Sequence, residues 1–365
     1  MEPTITEMAR WLEGGFPGGD GALAAEARQV MLEEVGPEVH LRGLLEFSNI
    51  CRCDCYYCGI RAGGDADPEA PRRFSLSEQE IVEAARYSLE AGFGSMTLQS
   101  GERRDERFIS FVEGALQRIK AETSGELLPE GLGITLCVGE QSPHAYRRFF
   151  EAGAHRYLLR IESSAPHLFA RLHPPHQRLK ERVAALRSLK EIGYQLGTGV
   201  MIGVPGQTAE DLARDIAFFR EIDADMIGMG PYIPAAGSAD REMRRRGLLP
   251  TLDDRSRLIL SLRMIAVTRI ALRDINIAAT TALQALSPRG REAGLAFGAN
   301  VLMPIVTPNA LRSSYQLYNG KPCIDEEADA CRECTIARVV SVGRPVSTNR
   351  WGDAPHAGRN GRAEA

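Results

Sequence analysis

The feature that most limits the possible folds of this 365-residue chain is its repeated alternation of short β-rich runs with amphipathic helical runs. The strand candidates are Val39–Phe47, Ser95–Gln99, Gly133–Val138, Arg156–Arg160, Gln195–Met201, Asp225–Met229, Asn276–Ala279 and Asn300–Met303. The clearest helical patterns are Ser77–Glu90, Asp105–Ala121, Arg178–Ile192, Ala209–Glu221 and Leu252–Arg273. Such alternation predicts parallel strands joined by right-handed crossovers. Eight units favour an α/β fold of the closed (β/α)8 TIM type, with a doubly wound open sheet as the alternative.

Short extensions flank the predicted barrel, which we place at residues 39–310. Residues 1–38 predict an N-terminal helical extension. Residues 311–351 form a C-terminal segment with a second cysteine group. The polar, glycine-containing stretch 352–365 is typical of a disordered tail.

The composition excludes several classes of protein. Hydrophobic residues make up 44% and charged residues 25%, as in globular proteins. The net charge of −4 is too near neutral to indicate nucleic acid or an anionic membrane as a partner. No apolar run reaches membrane-spanning length, and the first fifteen residues lack the apolar core of a signal peptide. We therefore expect a cytoplasmic protein.

Six of the eight cysteines fall into two tight groups, which in a reducing compartment favours metal binding or catalysis over disulfides. The first group, Cys51, Cys55 and Cys58, directly follows the first predicted strand. A fully protein-ligated 4Fe–4S cluster needs four thiolates. Three leave one iron with an open position, where a substrate can bind. A zinc or electron-transfer site is the alternative, but Cys53 is too close in sequence to reach the far corner of the same cube.

This Cys-x3-Cys-x2-Cys spacing, with an aromatic residue before the last cysteine, resembles the signature of the radical S-adenosylmethionine (SAM) superfamily. The resemblance implies that the amino and carboxylate groups of SAM chelate the open iron. One electron then cleaves the sulfonium to methionine and a 5′-deoxyadenosyl radical. Ser100-Gly101-Glu102, after the second strand, resembles the family's Gly-Gly-Glu motif. The cofactor-binding residues implied in this way are Tyr57, Ser100, Gly101, Glu102, Glu162, Arg182 and Met226.

Longer stretches resemble one family of maturases, which help to assemble the active-site cluster of iron–iron hydrogenases. They include Glu46–Asn49, Leu98–Glu102, Arg156–Arg160, Met201–Thr208, Ala279–Ala282, Gly298–Pro304 and Tyr315–Tyr318. The implied substrate is a mononuclear iron complex carrying carbon monoxide, cyanide and cysteine, whose cysteine sulfur the adenosyl radical attacks. The implied partners are other maturases and a reductant such as ferredoxin or flavodoxin. Inner-face residues that could contact the substrate are Thr135, Arg160, Thr280, Thr281, Met303 and Tyr315.

Two other functions stay open. A methylornithine synthase-like amino-acid mutase needs polar contacts rather than further metals, so the residues do not exclude it. A non-catalytic metal-binding scaffold would explain the cysteines, but not Ser100-Gly101-Glu102 or the Arg160/Glu162 pair. Sulfur insertion of the biotin synthase kind is disfavoured, because Cys137 is the one cysteine on a predicted barrel strand after the first group.

The second cysteine group, Cys323-x7-Cys331-x2-Cys334, has three thiols and no obvious fourth ligand in the sequence. By resemblance, it would hold an auxiliary iron–sulfur cluster. A zinc site or an empty site is the alternative.

Overall fold

The computed structural model describes residues 2–359 of the chain. Its helices are α1 Ile5–Leu12, α2 Gly19–Glu34, α3 Glu78–Glu90, α4 Glu106–Thr123, α5 Pro143–Glu151, α6 Pro166–Leu172, α7 Leu179–Ile192, α8 Ala209–Glu221, α9 Ser238–Arg245, α10 Asp254–Ala271, α11 Thr281–Leu286, α12 Gly290–Ala296, α13 Asn309–Arg312, α14 Ala328–Ser341 and α15 Pro355–Arg359. Its strands are β1 Val39–Ser48, β2 Ser95–Ser100, β3 Gly133–Cys137, β4 Arg156–Leu158, β5 Gln195–Thr198, β6 Met201–Ile202, β7 Met226–Ile227, β8 Gly230–Pro231, β9 Asn276–Ile277, β10 Val301–Leu302 and β11 Val346–Ser347.

Eight parallel strands form the wall of a barrel, in the hydrogen-bonded order β10-β1-β2-β3-β4-β5-β7-β9. Two backbone hydrogen bonds join β9 to β10 and complete the ring: Asn300 N–H donates to the Ile277 carbonyl (2.9 Å) and Ala279 N–H to the Val301 carbonyl (3.0 Å). The short strands β6 and β8 pair with each other after β5 and β7 end. The predicted (β/α)8 architecture is confirmed.

Side chains on β1 alternate between the barrel interior and the helical layer, as the period of a strand requires. Leu41, Leu45 and Phe47 belong to the main hydrophobic core. Each such buried apolar side chain contributes about 1.5–3 kcal/mol to stability. Arg42 instead lines a cavity inside the barrel. The strands therefore bury one face against helices and leave polar groups in the interior.

Local sequence signals set several helix starts. The predicted capping box at α3 is present: Ser77 Oγ accepts from Glu80 N–H, and the Glu80 carboxylate accepts from Ser77 N–H at 2.7 Å. The N-terminal extension is helical, and its two helices pack on the outside of the barrel, α1 against α8 and α2 against α10. No helix in residues 2–359 is long and apolar enough to cross a membrane.

The amino end of the barrel is closed by the start of the stretch that was predicted to be disordered. The carbonyl of Gly352 accepts hydrogen bonds from Arg42 Nη2 and Asn276 Nδ2, both at 2.9 Å. Asp353 Oδ1 pairs with Arg156 Nη1 at 2.5 Å. The prediction of disorder is therefore wrong for residues 352–359, because buried barrel arginines need these acceptors. The rest of the predicted tail, residues 360–365, lies outside the described residues.

The opposite, carboxyl end is crossed by residues 313–323, which we call the mouth segment. Gly59 N–H donates to the Leu317 carbonyl (3.1 Å), and Asn319 N–H donates to the Pro234 carbonyl (3.0 Å). The segment thus runs from the loop after β1 to the loop after β8. It covers the end of the barrel where active sites of this fold lie.

Candidate active site

The three predicted cluster cysteines lie in one loop at the carboxyl end of β1. Parallel pairing places Ser48, at the end of β1, beside Ser100, at the end of β2. Asn49 anchors the start of the loop, because its side-chain amide donates to the carbonyls of Arg72 (2.8 Å) and Ser314 (2.7 Å). The loop is thereby fixed to the mouth segment.

Cys51 is surrounded by hydrogen-bond donors. The backbone N–H groups of Cys53 and Glu102 point at its Sγ from 3.4 and 3.3 Å. A hydrogen bond from the Cys53 thiol lowers the pKa of Cys51 to about 7. Gly101 allows this close approach, since a Cβ there would lie 2.4 Å from the Ile50 carbonyl oxygen. These donors favour a thiolate, the form that binds metal.

Cys55 and Cys58 lie in a more apolar setting. Burial raises the pKa of Cys55 to about 12 and also raises the pKa of Cys58. Metal ligation needs both as thiolates, so a cationic group must occupy the loop to hold them ionised.

Ser100-Gly101-Glu102 lies directly beside the cysteine loop. Gly101 N–H donates to the Ser48 carbonyl (2.9 Å), and Ser100 Oγ donates to the Gly101 carbonyl (2.8 Å). The Glu102 carboxylate is buried and accepts from Glu140 N–H at 2.8 Å. The motif therefore forms a rigid edge to the cluster site.

A buried set of charges follows β4 and β5. Arg160 Nη2 lies 3.0 Å from Glu162 Oε2 but donates to the Val200 carbonyl at 2.9 Å. Glu162 Oε2 and Arg160 Nε are both buried without a hydrogen-bond partner among the described residues. Burial raises the pKa of Glu162, an effect that Arg160 opposes. Glu162 also has a left-handed backbone (φ 64°), which is strained for a residue with a Cβ. Unsatisfied polar atoms and strain are typical of a ligand site.

Arg182 is buried, not a solvated helix arginine. Its Nη1 donates to the Arg160 carbonyl at 2.5 Å, and its Nε donates to the Glu140 carboxylate. Tyr57 lies in the same region, where its hydroxyl is 3.4 Å from His173 Nε2. The fold thus gathers these predicted cofactor residues around the cysteine loop, while their roles stay predictions.

Two predicted residues lie deeper in the barrel. Met226 Sδ accepts a hydrogen bond from Arg42 Nη1 at 3.3 Å, and Thr135 Oγ1 accepts from Arg156 Nε at 3.0 Å. Both arginines also contact the closing residues 351–353. Met226 and Thr135 therefore lie toward the closed end of the barrel.

Of the other predicted substrate residues, Met303 lines the same deep cavity as Thr135. Thr280 and Thr281 follow β9, and Tyr315 belongs to the mouth segment. Thr280 Oγ1 donates to the Met229 carbonyl (3.2 Å), and the Thr281 and Tyr318 hydroxyls are 2.9 Å apart. The predicted contacts Met303 and Tyr315 also face polar partners. Met303 Sδ lies 3.9 Å from Thr97 Oγ1, and the Tyr315 hydroxyl accepts from Gln99 Nε2 at 3.2 Å.

Sequence reasoning missed an ion pair at the mouth. Lys321 Nζ lies 2.5 Å from Glu46 Oε1 and donates to the Tyr315 carbonyl at 3.0 Å. Both side chains are buried. The alternation of side chains along β1 places Glu46 on the inner face of the barrel, but no local sequence signal indicates Lys321.

The second cysteine group is only partly assembled. Cys323 and Cys331 come together with Glu326, and the ligand atoms of all three lie within 4.8 Å of one another. Cys334 is not part of this group.

Comparisons with known proteins identify relatives of the whole chain. The model of the radical SAM superfamily matches residues 45–219. The chain is 39% identical over 335 residues to the FeFe hydrogenase maturase subunit HydE of Thermotoga maritima, covering 92% of this chain and 89% of that protein. It is 25% identical over 322 residues to 3-methylornithine synthase of Methanosarcina acetivorans, covering 87% of this chain and 83% of that one. The crystal structure of methylornithine synthase (PylB) has the same fold, with a TM-score of 0.76 at 22% identity over 96% of this chain and 95% of that one.

Proposed function

Because the chain belongs to the radical SAM superfamily and, within it, to the HydE family of hydrogenase maturases, we propose that it acts on an iron complex carrying carbon monoxide, cyanide and cysteine. As a radical SAM enzyme, it uses a 4Fe–4S cluster and S-adenosylmethionine. When bound, these groups supply the one-electron cleavage of the sulfonium to methionine and a 5′-deoxyadenosyl radical. We infer that the cysteine sulfur of the iron complex is the atom attacked.

Cys51, Cys55 and Cys58 are the cluster ligands in this proposal. The amide donors at Cys51 Sγ and the position of the loop beside Ser100–Glu102 support that assignment. Glu162 is the best-supported contact to S-adenosylmethionine, because the ion pair with Arg160 is the one described contact of its buried Oε2, at 3.0 Å, and that pair does not have hydrogen-bond geometry. A ligand hydroxyl or ammonium would satisfy it.

The proposed substrate assignment rests on Arg160. Its side chain is about one-third exposed at the barrel mouth, and its Nε has no hydrogen-bond partner in the described part of the chain. Glu162 neutralises the Arg160 guanidinium only in part, so this cation suits a small anionic ligand. Burying an anion without such a partner costs about 3 kcal/mol or more. Thr280 and Thr281 supply hydroxyls after β9.

The proposal also needs partners. A one-electron reductant such as ferredoxin or flavodoxin would feed the cluster, and other maturases would deliver the iron complex and receive the product. We place the protein in the cytoplasm, in line with its cysteine usage.

A turnover assay tests the substrate. The anaerobically reconstituted enzyme is supplied with S-adenosylmethionine, reductant and a synthetic iron–carbonyl–cyanide–cysteine complex. We expect consumption of S-adenosylmethionine, with release of methionine, coupled to loss of that complex and activation of apo-hydrogenase. Conversion of lysine to methylornithine, without hydrogenase activation, would contradict the proposal and establish a mutase.

A further inference from the structure

Glu162 keeps a backbone conformation that its residue type disfavours. Its φ is 64°, in the left-handed region, where a Cβ comes too close to the following carbonyl oxygen. A strained residue stays in such a conformation only where the surrounding contacts hold it there. The peptide groups on both sides of Glu162 must therefore be fixed.

On one side, the chain is held by the end of β5 and the start of β6. Ile161 N–H donates to Thr198 Oγ1 at 3.2 Å. Glu162 N–H donates to the Gly199 carbonyl at 3.0 Å, and Met201 N–H donates to the Glu162 carbonyl at 3.2 Å. These bonds fix Glu162 and the residue before it against the barrel wall, but they do not reach the residues after Glu162.

Past Glu162, the chain is held by one carboxylate. The N–H and the hydroxyl of Ser164 both donate to Asp215 Oδ1, each at 2.6 Å. Asp215 lies on α8 and is completely buried. Because Ser164 is two residues from Glu162, these two hydrogen bonds fix the far end of the turn in which Glu162 is strained.

Asp215 is an unfavourable residue for the packing of α8 alone. Its Oδ2 has no hydrogen-bond partner among the described residues. Burial raises the pKa of Asp215 to about 7, although the hydrogen bonds from Ser164 act to lower it. Burying a carboxylate without a cation lowers stability, and an apolar side chain would avoid that loss. An apolar side chain could not hold Ser164, so this contact is what Asp215 supplies to the fold.

We propose that Asp215 is a positioning residue for S-adenosylmethionine, which rests on the contact proposed for Glu162 above. By holding Ser164, Asp215 keeps Glu162 in its left-handed conformation and keeps the Glu162 carboxylate beside Arg160, at 3.0 Å. Asp215 acts through Ser164 and is not itself a contact of the cofactor. Without it, the segment 162–164 relaxes to a negative φ at Glu162, and the carboxylate leaves its place in the site.

Calorimetric titration of the anaerobically reconstituted, unreduced protein with S-adenosylmethionine measures this effect apart from turnover. Asp215→Ala should weaken binding at least about tenfold, as expected for the loss of two hydrogen bonds to a charged group. Asp215→Asn keeps an acceptor oxygen for Ser164 and should bind within about threefold of wild type. The iron content of both variants should equal that of wild type, because the three cluster thiols lie in a separate loop.

Asp225→Ala is the matched control. Asp225 is as deeply buried as Asp215, also has one carboxylate oxygen without a hydrogen-bond partner among the described residues, and also accepts from a backbone N–H, that of Leu196 at 2.7 Å. It directly precedes β7. Its replacement should destabilise the fold at least as much, because Lys190 loses one of its two carboxylate partners. The affinity for S-adenosylmethionine should nevertheless stay within about twofold of wild type.

Two further measurements keep the test independent of misfolding. Ser164→Ala removes one of the two hydrogen bonds at a half-buried position and should weaken binding about threefold. Crystal structures should show a negative φ at Glu162 in Asp215→Ala, and a φ near 64° in Asp225→Ala as in wild type.

The assignment is overturned if Asp215→Ala or Ser164→Ala binds S-adenosylmethionine as tightly as wild type, or if Asp225→Ala loses as much affinity as Asp215→Ala. Titration of the wild-type protein tests the proposed function separately. Tight binding by wild type and by Asp215→Ala alike refutes the role of Asp215 alone, whereas no binding by wild type refutes the proposed function and this assignment with it.

Discussion

Lys321 and Glu46 form a buried ion pair between the mouth segment and the inner face of β1, with Nζ 2.5 Å from Oε1. They are 275 residues apart in the chain. The Lys321 ammonium also lies 5.3 Å from the centre of the Tyr315 ring. Together with the hydrogen bond from Gln99 to Tyr315, this pair ties the segment to the barrel wall.

Replacing Lys321 with Met should therefore destabilise the protein by about 3–5 kcal/mol, because it leaves a buried carboxylate unpaired. Urea unfolding at pH 7 measures the change. The double variant Lys321→Met/Glu46→Leu should recover part of the loss, since no charge is then left unpaired. A double variant as unstable as the sum of both single changes would show that the two residues do not interact.

Local patterns allowed the barrel and the cluster loop to be predicted, because their signals lie close together in sequence. The Ser77/Glu80 capping box and the spacing of Cys51, Cys55 and Cys58 are such signals. The Lys321–Glu46 pair could not be predicted, because only the closed fold brings the two side chains together.

For the stretch that begins at Gly352, the sequence predicted disorder where the structure shows ordered contacts. Its composition is typical of disorder, yet its carbonyls and Asp353 satisfy buried arginines in the barrel.

Arg160→Leu should spare SAM cleavage in the absence of substrate and lower hydrogenase activation at least about 30-fold, corresponding to about 2 kcal/mol for a lost charge-assisted contact. Arg160→Lys keeps the charge and should recover part of the activity. Formation of 5′-deoxyadenosine and hydrogen evolution are measured on the same samples. Equal loss of both activities would show that Arg160 supports the cofactor site and not the substrate.

Gly101→Ala should impair cluster assembly, since the new methyl group would meet the Ile50 carbonyl and Cys51 Cβ within 3 Å. Gly125→Ala is the control, because a Cβ there meets nothing within 4 Å. Iron content and the visible absorbance of the thiolate-ligated cluster report assembly. A Gly101→Ala protein with a full cluster would contradict the close packing of Ser100–Glu102 on the loop.

Asp353→Asn should lower stability by about 3 kcal/mol, because Arg156 loses its carboxylate partner. Burial acts to raise the pKa of Asp353, but Arg156 and His155 outweigh it and hold that pKa well below its ordinary value. A depressed acid stabilises the fold above its unfolded pKa of about 4 and loses that effect as the pH falls further. The gap between wild type and variant should thus be constant from pH 7 to 5 and narrow only below about pH 4. Closure of the gap already at pH 5 would show that Asp353 has no depressed pKa.

In the proposed function, Cys51, Cys55 and Cys58 hold the cluster that cleaves S-adenosylmethionine. The most direct measurement is 5′-deoxyadenosine formation by anaerobically reconstituted Cys55→Ala and Cys53→Ala proteins, assayed with the same reductant. We expect no product above background from Cys55→Ala, and product within about twofold of wild type from Cys53→Ala, since a thiol that only donates a hydrogen bond contributes little. Full activity of Cys55→Ala would contradict the account.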